Sequence, residues 1–460
     1  MRNQRPYSLA GVALIAALSL LVSNSIRAND NILFVMIDDW GVDASPVHNT
    51  DENAHLAHMP NLQLLADSGM TFNRFYVGPM CSPTRASVMT GMLPHQTSIY
   101  TAGHGDSFNA DNPATTHTLP KVFASAGAPH EMGLIGKWHL GGGNTAYSTI
   151  AGWHSFMGTN ANINDFEYWR KNENGVVSET EYQTTYATFE QAEDAIDFIV
   201  TADDNPWFCW LAFNAPHAPF HDPPAAQAHD PIQGYSPRGA DESNTLYRYR
   251  KALEALDNNL GEVLRYVDLS TTHVVVIGDN GTPNSAYQGP YSRAKGSLLE
   301  SGIRVPLIVA GPAIGRRKVG DASDDLVQMI DLFPTFMEMA GLDPAVDASS
   351  IVHQQASSIV PLLGGQRGGN RNMVTEGGDG SERGRVVISG RFPDHKLVIY
   401  KDPTNPNSIA DFKFYDLSED DNESQPMDIT QLSGTDARAF RLCKRIDQSL
   451  GGFTVRSDYP

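Results

Sequence analysis

A chain of 460 residues with 53 acidic against 33 basic side chains has a formal net charge of −20, a balance that repels nucleic acid and anionic membranes. Its 41% hydrophobic content, with 40 glycines and 28 prolines, excludes disordered and fibrous classes and describes a loop-rich globular protein, long enough for a large domain and a smaller one. Three cysteines, Cys81, Cys209 and Cys443, are too few for a disulfide framework.

At the start of the chain, Arg2 and Arg5 precede an apolar run from Leu9 to Val22 and a polar stretch ending at Ala28, the layout of a secretory signal peptide. The run is short for a membrane span. Cleavage of residues 1–28 is therefore expected, with export to the periplasm or the medium and no membrane anchor afterwards. The cleaved piece removes Arg2, Arg5 and Arg27 and no acid, so the mature chain is more acidic still.

The next run, Asn31 to Ile37, is continuously apolar after its asparagine, as expected for a central parallel strand buried on both faces, and it stops at Asp38 and Asp39. Helical period follows at Met59 to Gly69, Pro83 to Met89, Leu119 to Ala126 and Phe189 to Val200. Trp207 to Phe213 reads as a second buried strand, with Cys209 as a small hydrophobe inside it. A helix is expected from Arg248 to Val267, a strand from His273 to Gly278 that stops at Asp279 and Asn280, a strand from Val305 to Ala310, and a helix from Leu326 to Ala340. Alternating strands and helices predict an α/β fold over residues 29–366, a large, mostly parallel sheet sandwiched by helices. Residues 367–460 read as a smaller C-terminal α+β subdomain with an antiparallel sheet, from strand-like runs at Lys396 to Tyr400 and Lys413 to Leu417 and a helix from Asp436 to Leu450. In open α/β sheets ligands gather beyond the carboxyl ends of the strands, where both acidic pairs fall.

The segment from Gly78 to Gly91, GPMCSPTRASVMTG, contains Cys-x-Pro-x-Arg as Cys81, Pro83 and Arg85 and ends in Thr90 and Gly91. Pro83 suits the first turn of a helix, Ser82 its cap and Gly91 its end, so Cys81 is expected just before a helix N-terminus that favours an anion, with Arg85 a turn further on. The same pattern also describes an ordinary capped helix with an incidental cysteine.

Several further motifs remove that ambiguity. The order of Asp38 and Asp39, CSPTR, GKWHLG at Gly136 to Gly141, APHAPF at Ala215 to Phe220, GDNG at Gly278 to Gly281, and Lys295 ahead of ESGIRVP resembles the type I sulfatases of the alkaline phosphatase superfamily. The resemblance runs from Asn31 to about Pro334, with an echo in FYDL at Phe414 to Leu417; Val88 stands where the family more often has leucine. It implies oxidation of Cys81 to formylglycine by a maturation enzyme, and a calcium ion bound by Asp38, Asp39, Asp279 and Asn280 with the modified residue 81. Oxygen donors suit such a hard cation, and no Cys/His cluster competes for zinc. Either acidic pair alone is also compatible with a helix cap or a solvated turn.

The resemblance also implies roles. Hydrated formylglycine supplies one hydroxyl to attack sulfur and a second that lets the sulfated intermediate collapse. Arg85 holds the nucleophile end, Lys137 and Lys295 bind sulfate oxygens, His139 accepts the proton of the formylglycine hydroxyl, and His217 with Lys295 faces the leaving-group oxygen. The chain has 15 histidines, most of which must be structural; His104, His154 and His221 are weaker candidates for the pocket wall. Aromatic residues from Trp153 to Arg170, namely Trp153, Phe156, Phe166, Tyr168 and Trp169, offer either a sugar-stacking surface or core. The expected substrate is a sulfated carbohydrate or an aryl sulfate. The competing readings are a phosphodiester or phosphonate monoester hydrolase of the same superfamily, and an exported binding protein that leaves Cys81 unmodified.

Overall fold

The computed structural model describes residues 26–102, 108–141, 146–178, 180–224, 245–291, 293–348, 355–378, 383–402 and 405–450. Residues 1–25 of the expected signal peptide (1–28) and His104 lie outside them. In chain order the first strands are β1 (Asn31–Ile37), β2 (Gly69–Phe72), β3 (Phe75–Tyr76), β4 (Glu131–Lys137), β5 (Ser155–Thr159), β6 (Asn172–Glu173) and β7 (Val176–Val177). They are followed by β8 (Trp207–Phe213), β9 (Thr272–Gly278), β10 (Leu307–Ala310), β11 (Asp321–Ser323) and β12 (Val327–Gln328).

Ten of these form one mixed sheet in the order β11-β2-β10-β9-β1-β8-β4-β5-β6-β7. Its centre, β9-β1-β8-β4-β5, is parallel throughout. The apolar run of β1 serves both faces of this sheet. Ile32, Phe34 and Met36 join the core beneath the helices Cys81–Thr90 and Leu332–Met339, where Phe34 meets Phe336 with ring centroids 4.9 Å apart. Leu33, Val35 and Ile37 join the opposite core, under the helices Pro60–Asp67, Ala187–Thr201 and Thr245–Leu264. Each of these six side chains is fully buried, worth roughly 1.5–3 kcal/mol apiece.

Several elements differ from the sequence expectation. The run ending at Ala310 forms β10 only from Leu307, and it lies antiparallel to β9. The helix expected from Leu326 begins at Leu332, because Val327 and Gln328 first pair with Phe75 and Tyr76. The largest omission is β4, a central strand whose sequence EMGLIGK hides two glycines and two charges. Gly133 leaves room for the Phe198 ring, and Gly136, at φ 97°, faces the Ala212 carbonyl, so the strand is glycine-bearing because its neighbours press against it.

Beyond the sheet, β13 (Met373–Gly377), β14 (Gly384–Ser389), β15 (Phe392–Asp402) and β16 (Asn405–Asp416) form an antiparallel sheet in that order. The helix Gly434–Ser449 covers one face with Ala439, Phe440, Cys443 and Ile446. On the other face Met373, Val386, Ile388 and Val398 pack with Leu298 and Ile303. Cys209 lies in β8 and Cys443 in this last helix, both buried as free thiols. Among the described residues no helix is long and apolar enough to cross a membrane.

A Cβ on Gly136 would stand 2.0 Å from the Ala212 carbonyl oxygen. Gly136→Ala should therefore cost about 1–3 kcal/mol of unfolding free energy in a denaturant titration. An unchanged midpoint would show that β4 and β8 are not held this closely.

Candidate active site

The four neighbouring strands β9, β1, β8 and β4 end side by side. Ile37 pairs with Gly278 on one side and with Phe213 on the other, while Ala212 pairs with Gly136. The strands thus deliver residues to the same edge: Asp279 and Asn280 after β9, Asp38 and Asp39 after β1, the loop to His217 after β8, and Lys137, the last residue of β4, with His139 just beyond it.

The acids interlock. The Asp39 backbone N–H donates to Asp279 Oδ1 at 2.9 Å, and Asn280 Nδ2 donates to Asp39 Oδ1 at 2.8 Å. Asp39 sits at φ 60° and His139 at φ 54°, left-handed positions that residues other than glycine hold only when the surroundings fix them. The Tyr249 hydroxyl fixes Asp39 by donating to its carbonyl at 2.7 Å.

Above the strand ends lies the helix Cys81–Thr90, all ten residues of which are buried. Here the structure corrects the sequence reading. Cys81 is the first residue of the helix rather than its predecessor, and Ser82 does not cap it; its hydroxyl donates to the His139 carbonyl at 2.8 Å. Gly91 does end the helix, in the left-handed conformation expected of it. One turn inside, Arg85 donates from Nη2 to Asp279 Oδ2 at 2.7 Å and from Nη1 to the Lys137 carbonyl at 2.7 Å. The Lys137 ammonium pairs with Asp38, and that of Lys295 pairs with Asp39 while lying 3.8 Å from Cys81 Sγ. His217 Nε2 is 3.7 Å from Asp39 Oδ2, at the more open side of the cluster.

Burial and neighbouring charge decide the ionisation here. Burial alone would raise Asp279, but Arg85, Lys137 and Lys295 outweigh it and hold this carboxyl down to about 2. Asp38 moves the other way, raised by burial and by the adjacent Asp279 despite Lys137. Burial pushes the Cys81 thiol up to about 12, so an unmodified cysteine here would stay protonated at neutral pH. Burial, with the positive charge of Lys137 and Arg85, drives His139 well below the usual histidine range and keeps its imidazole neutral.

The donor set fits a hard divalent cation. Carboxylate oxygens of Asp38, Asp39 and Asp279 and the Cys81 sulfur lie within 4.8 Å of one another. Asp38 Oδ1 and Asn280 Oδ1 are buried acceptors without a hydrogen-bond donor, an arrangement that costs free energy unless a cation takes them up. Oxygen donors in this number suit calcium or magnesium rather than zinc.

Other sequence candidates fall elsewhere. His154 sits beside Glu131 at the start of β4, the opposite end of the sheet, so it does not line this site. His221 stacks on Phe166, with centroids 4.0 Å apart, and bonds to the Tyr186 hydroxyl at 2.9 Å. Trp153, Phe156, Phe166 and Trp169 are core residues rather than a sugar platform; only Tyr168 of that group is exposed, stacked on Tyr182. Conversely, sequence reasoning missed Tyr249, which nothing near it signals, and the Asp43–Thr282 pair, bonded at 2.7 Å, whose threonine directly follows GDNG.

Fold and site together define an α/β protein that presents oxygen ligands and three cations to the first residue of a buried helix. The chain belongs to the sulfatase family, whose sequence profile, Sulfatase, matches residues 30–342. It is 30% identical over 372 residues to N-acetylgalactosamine-6-sulfatase of Canis lupus familiaris, covering 73% of this chain and 66% of that protein. It is 26% identical over 379 residues to N-sulphoglucosamine sulphohydrolase of Homo sapiens, covering 75% and 68% respectively. The first of these relatives is thus spanned over just under two thirds of its length. Among solved structures, the PsFucS1 sulfatase from Pseudoalteromonas sp. superposes with a TM-score of 0.71 over 96% of this chain and 92% of that one; at 19% identity this likeness speaks for the fold.

Calcium titrated into the protein by calorimetry is expected to bind with an affinity that falls at least about tenfold in Asp279→Ala. Equal affinity in the two proteins would remove Asp279 from the ligand set.

Proposed function

We propose that this chain is an exported sulfatase that hydrolyses sulfate esters of sulfated carbohydrate. In this reading a maturation enzyme converts Cys81 to formylglycine, and Asp38, Asp39, Asp279 and Asn280 hold a calcium ion against it. The observation that carries the reading is the convergence on Cys81 of ligands from β1 and β9, Lys295 from the following loop, and Arg85 from its own helix. Support for the substrate class comes from the two relatives above, both named for sulfated amino sugars. Support for export comes from the arginines and apolar run within residues 1–28.

Charge balance favours an anionic substrate. Three carboxylates, Asp38, Asp39 and Asp279, face three cations, Arg85, Lys137 and Lys295, so a bound divalent ion would leave the cluster with about two positive charges for a sulfate monoester to meet. Formylglycine hydrate with calcium would supply an acidified hydroxyl nucleophile and a Lewis acid for the sulfate oxygens.

The chain's own groups do the remainder. Arg85 is committed to Asp279 and the Lys137 carbonyl, so it fixes the nucleophile end rather than gripping substrate. Lys137 and Lys295 are compact ammonium donors for sulfate oxygens as these gain charge. A neutral His139 is suited to accept the proton of the nucleophile. His217, less buried than the acids and adjacent to Asp39, would protonate the departing sugar oxygen together with Lys295.

Natively produced protein should release sulfate from aryl and carbohydrate sulfates, lose turnover on chelation and regain it with calcium. Mass spectrometry of the peptide bearing Cys81 should show the aldehyde, and Cys81→Ala should fall to the uncatalysed background with unchanged circular dichroism. A preference for phosphodiester or phosphonate substrates, or free cysteine at position 81 with glycan binding but no turnover, would overturn this assignment.

A further inference from the structure

A buried ion cluster centred on the C-terminal sheet lies outside the site. Lys396, on β15, has no exposed surface, and its ammonium is 3.0 Å from Glu300 Oε1 and 2.7 Å from Glu423 Oε1. The Tyr76 hydroxyl donates to the other Glu300 oxygen at 3.0 Å, and the Glu300 backbone N–H donates to Glu423 Oε2 at 2.6 Å. Glu423 holds φ 49°, a left-handed conformation that a glutamate keeps only where its partners over-determine it. Arg304 Nε adds a second cation, 3.7 Å from Glu300 Oε2, and such a buried ion cluster is a poor device for stability alone, since apolar residues of similar volume would serve as well.

What the cluster grips gives it another use. Glu300 opens the short helix Glu300–Ile303 at the end of the segment that delivers Lys295. On its site side that segment is tied down at three points. The Lys295 N–H donates to the Thr282 carbonyl at 3.1 Å, Gly296 N–H to Pro79 at 2.9 Å, and Gly281 N–H to Gly302 at 3.0 Å. The fit is tight: a Cβ on Gly281 would stand 1.9 Å from the Ser301 carbonyl oxygen. The segment is therefore wedged between the loop after β9 and the residues leading into Cys81, and its outer end is held by Lys396.

We infer that Lys396 is a positioning residue for Lys295: through Glu300 and Glu423, the C-terminal sheet sets where the Lys295 ammonium stands relative to residue 81. The inference rests on the sulfatase reading above. Lys396 touches no reacting group; it acts through a segment whose displacement by an ångström would carry Lys295 out of reach of a sulfate oxygen.

Lys396→Met, which keeps bulk and removes the charge, is expected to lower kcat/KM for 4-nitrophenyl sulfate by about tenfold to a hundredfold. It should weaken binding of inorganic sulfate, measured by calorimetry, in the same direction. In a Lys295→Ala background the same change should alter either quantity by less than about twofold, because the position it controls is no longer used. Equal losses in both backgrounds would mark a general structural effect and overturn the inference. Should Lys396→Met not fold, Glu423→Gln, which keeps an acceptor for the Glu300 N–H, carries the same cycle. A wild type that binds sulfate without hydrolysing any ester would sink the functional reading, and the cycle in sulfate affinity would still judge the clamp.

Discussion

Because β1 and β9 run parallel with Ile37 opposite Gly278, Asp38 and Asp279 emerge side by side, with Asp39 folded back between them. Three carboxylates in so dry a space cannot all stay ionised without compensation. The surrounding architecture is the compensation, and each cation arrives from a different direction. Arg85 descends from the helix above, Lys137 ends a strand two places away in the sheet, and Lys295 returns on the loop after β9. No single segment could supply all three without like charges crowding along one element.

Arg85 does more than neutralise. By bonding both to Asp279 at the end of β9 and to the carbonyl of Lys137 at the end of β4, it spans the intervening β1 and β8 and locks the helix to both edges of the site. Cys81, one turn earlier on that helix, inherits this fixed position. With its thiol pushed up to about 12 by burial, residue 81 gains little as an ordinary cysteine nucleophile. The proposed oxidation would replace the thiol by a hydrated aldehyde, whose second hydroxyl would let a sulfated intermediate collapse, which a thiol cannot do.

Much of this was legible in the sequence where chemistry and burial leave one-dimensional traces. Strands β1, β8 and β9 are unbroken apolar runs because helices cover both faces of the sheet, and the acids that stop β1 and β9 advertise the site. Strand β4 left no such trace: its glycines answer to Phe198 and Ala212, contacts that exist only after folding. The direction of β10 was equally hidden, since a short apolar run reads the same parallel or antiparallel. Ser82 looked like a cap because its type and place suit one, yet the turn after β4 offers its hydroxyl a carbonyl, and tertiary contact prevailed over local preference. Partners such as Lys396 and Glu300, 96 residues apart, or Glu300 and Glu423, 123 apart, carry no local signature at all.

The acidity of the chain and its proposed anionic substrate are reconciled by range. At physiological salt a charge on the surface is screened within about 8 Å, so a net charge of −20 acts as a weak, diffuse repulsion on an approaching polyanion. The buried cluster is screened far less, and there three cations and a divalent ion would outweigh three carboxylates at the point where the proposed sulfate would sit. Attraction confined to that point favours one ester at a time. On the proposed function, the same diffuse repulsion would favour departure of an anionic product, which a broadly basic surface would hold.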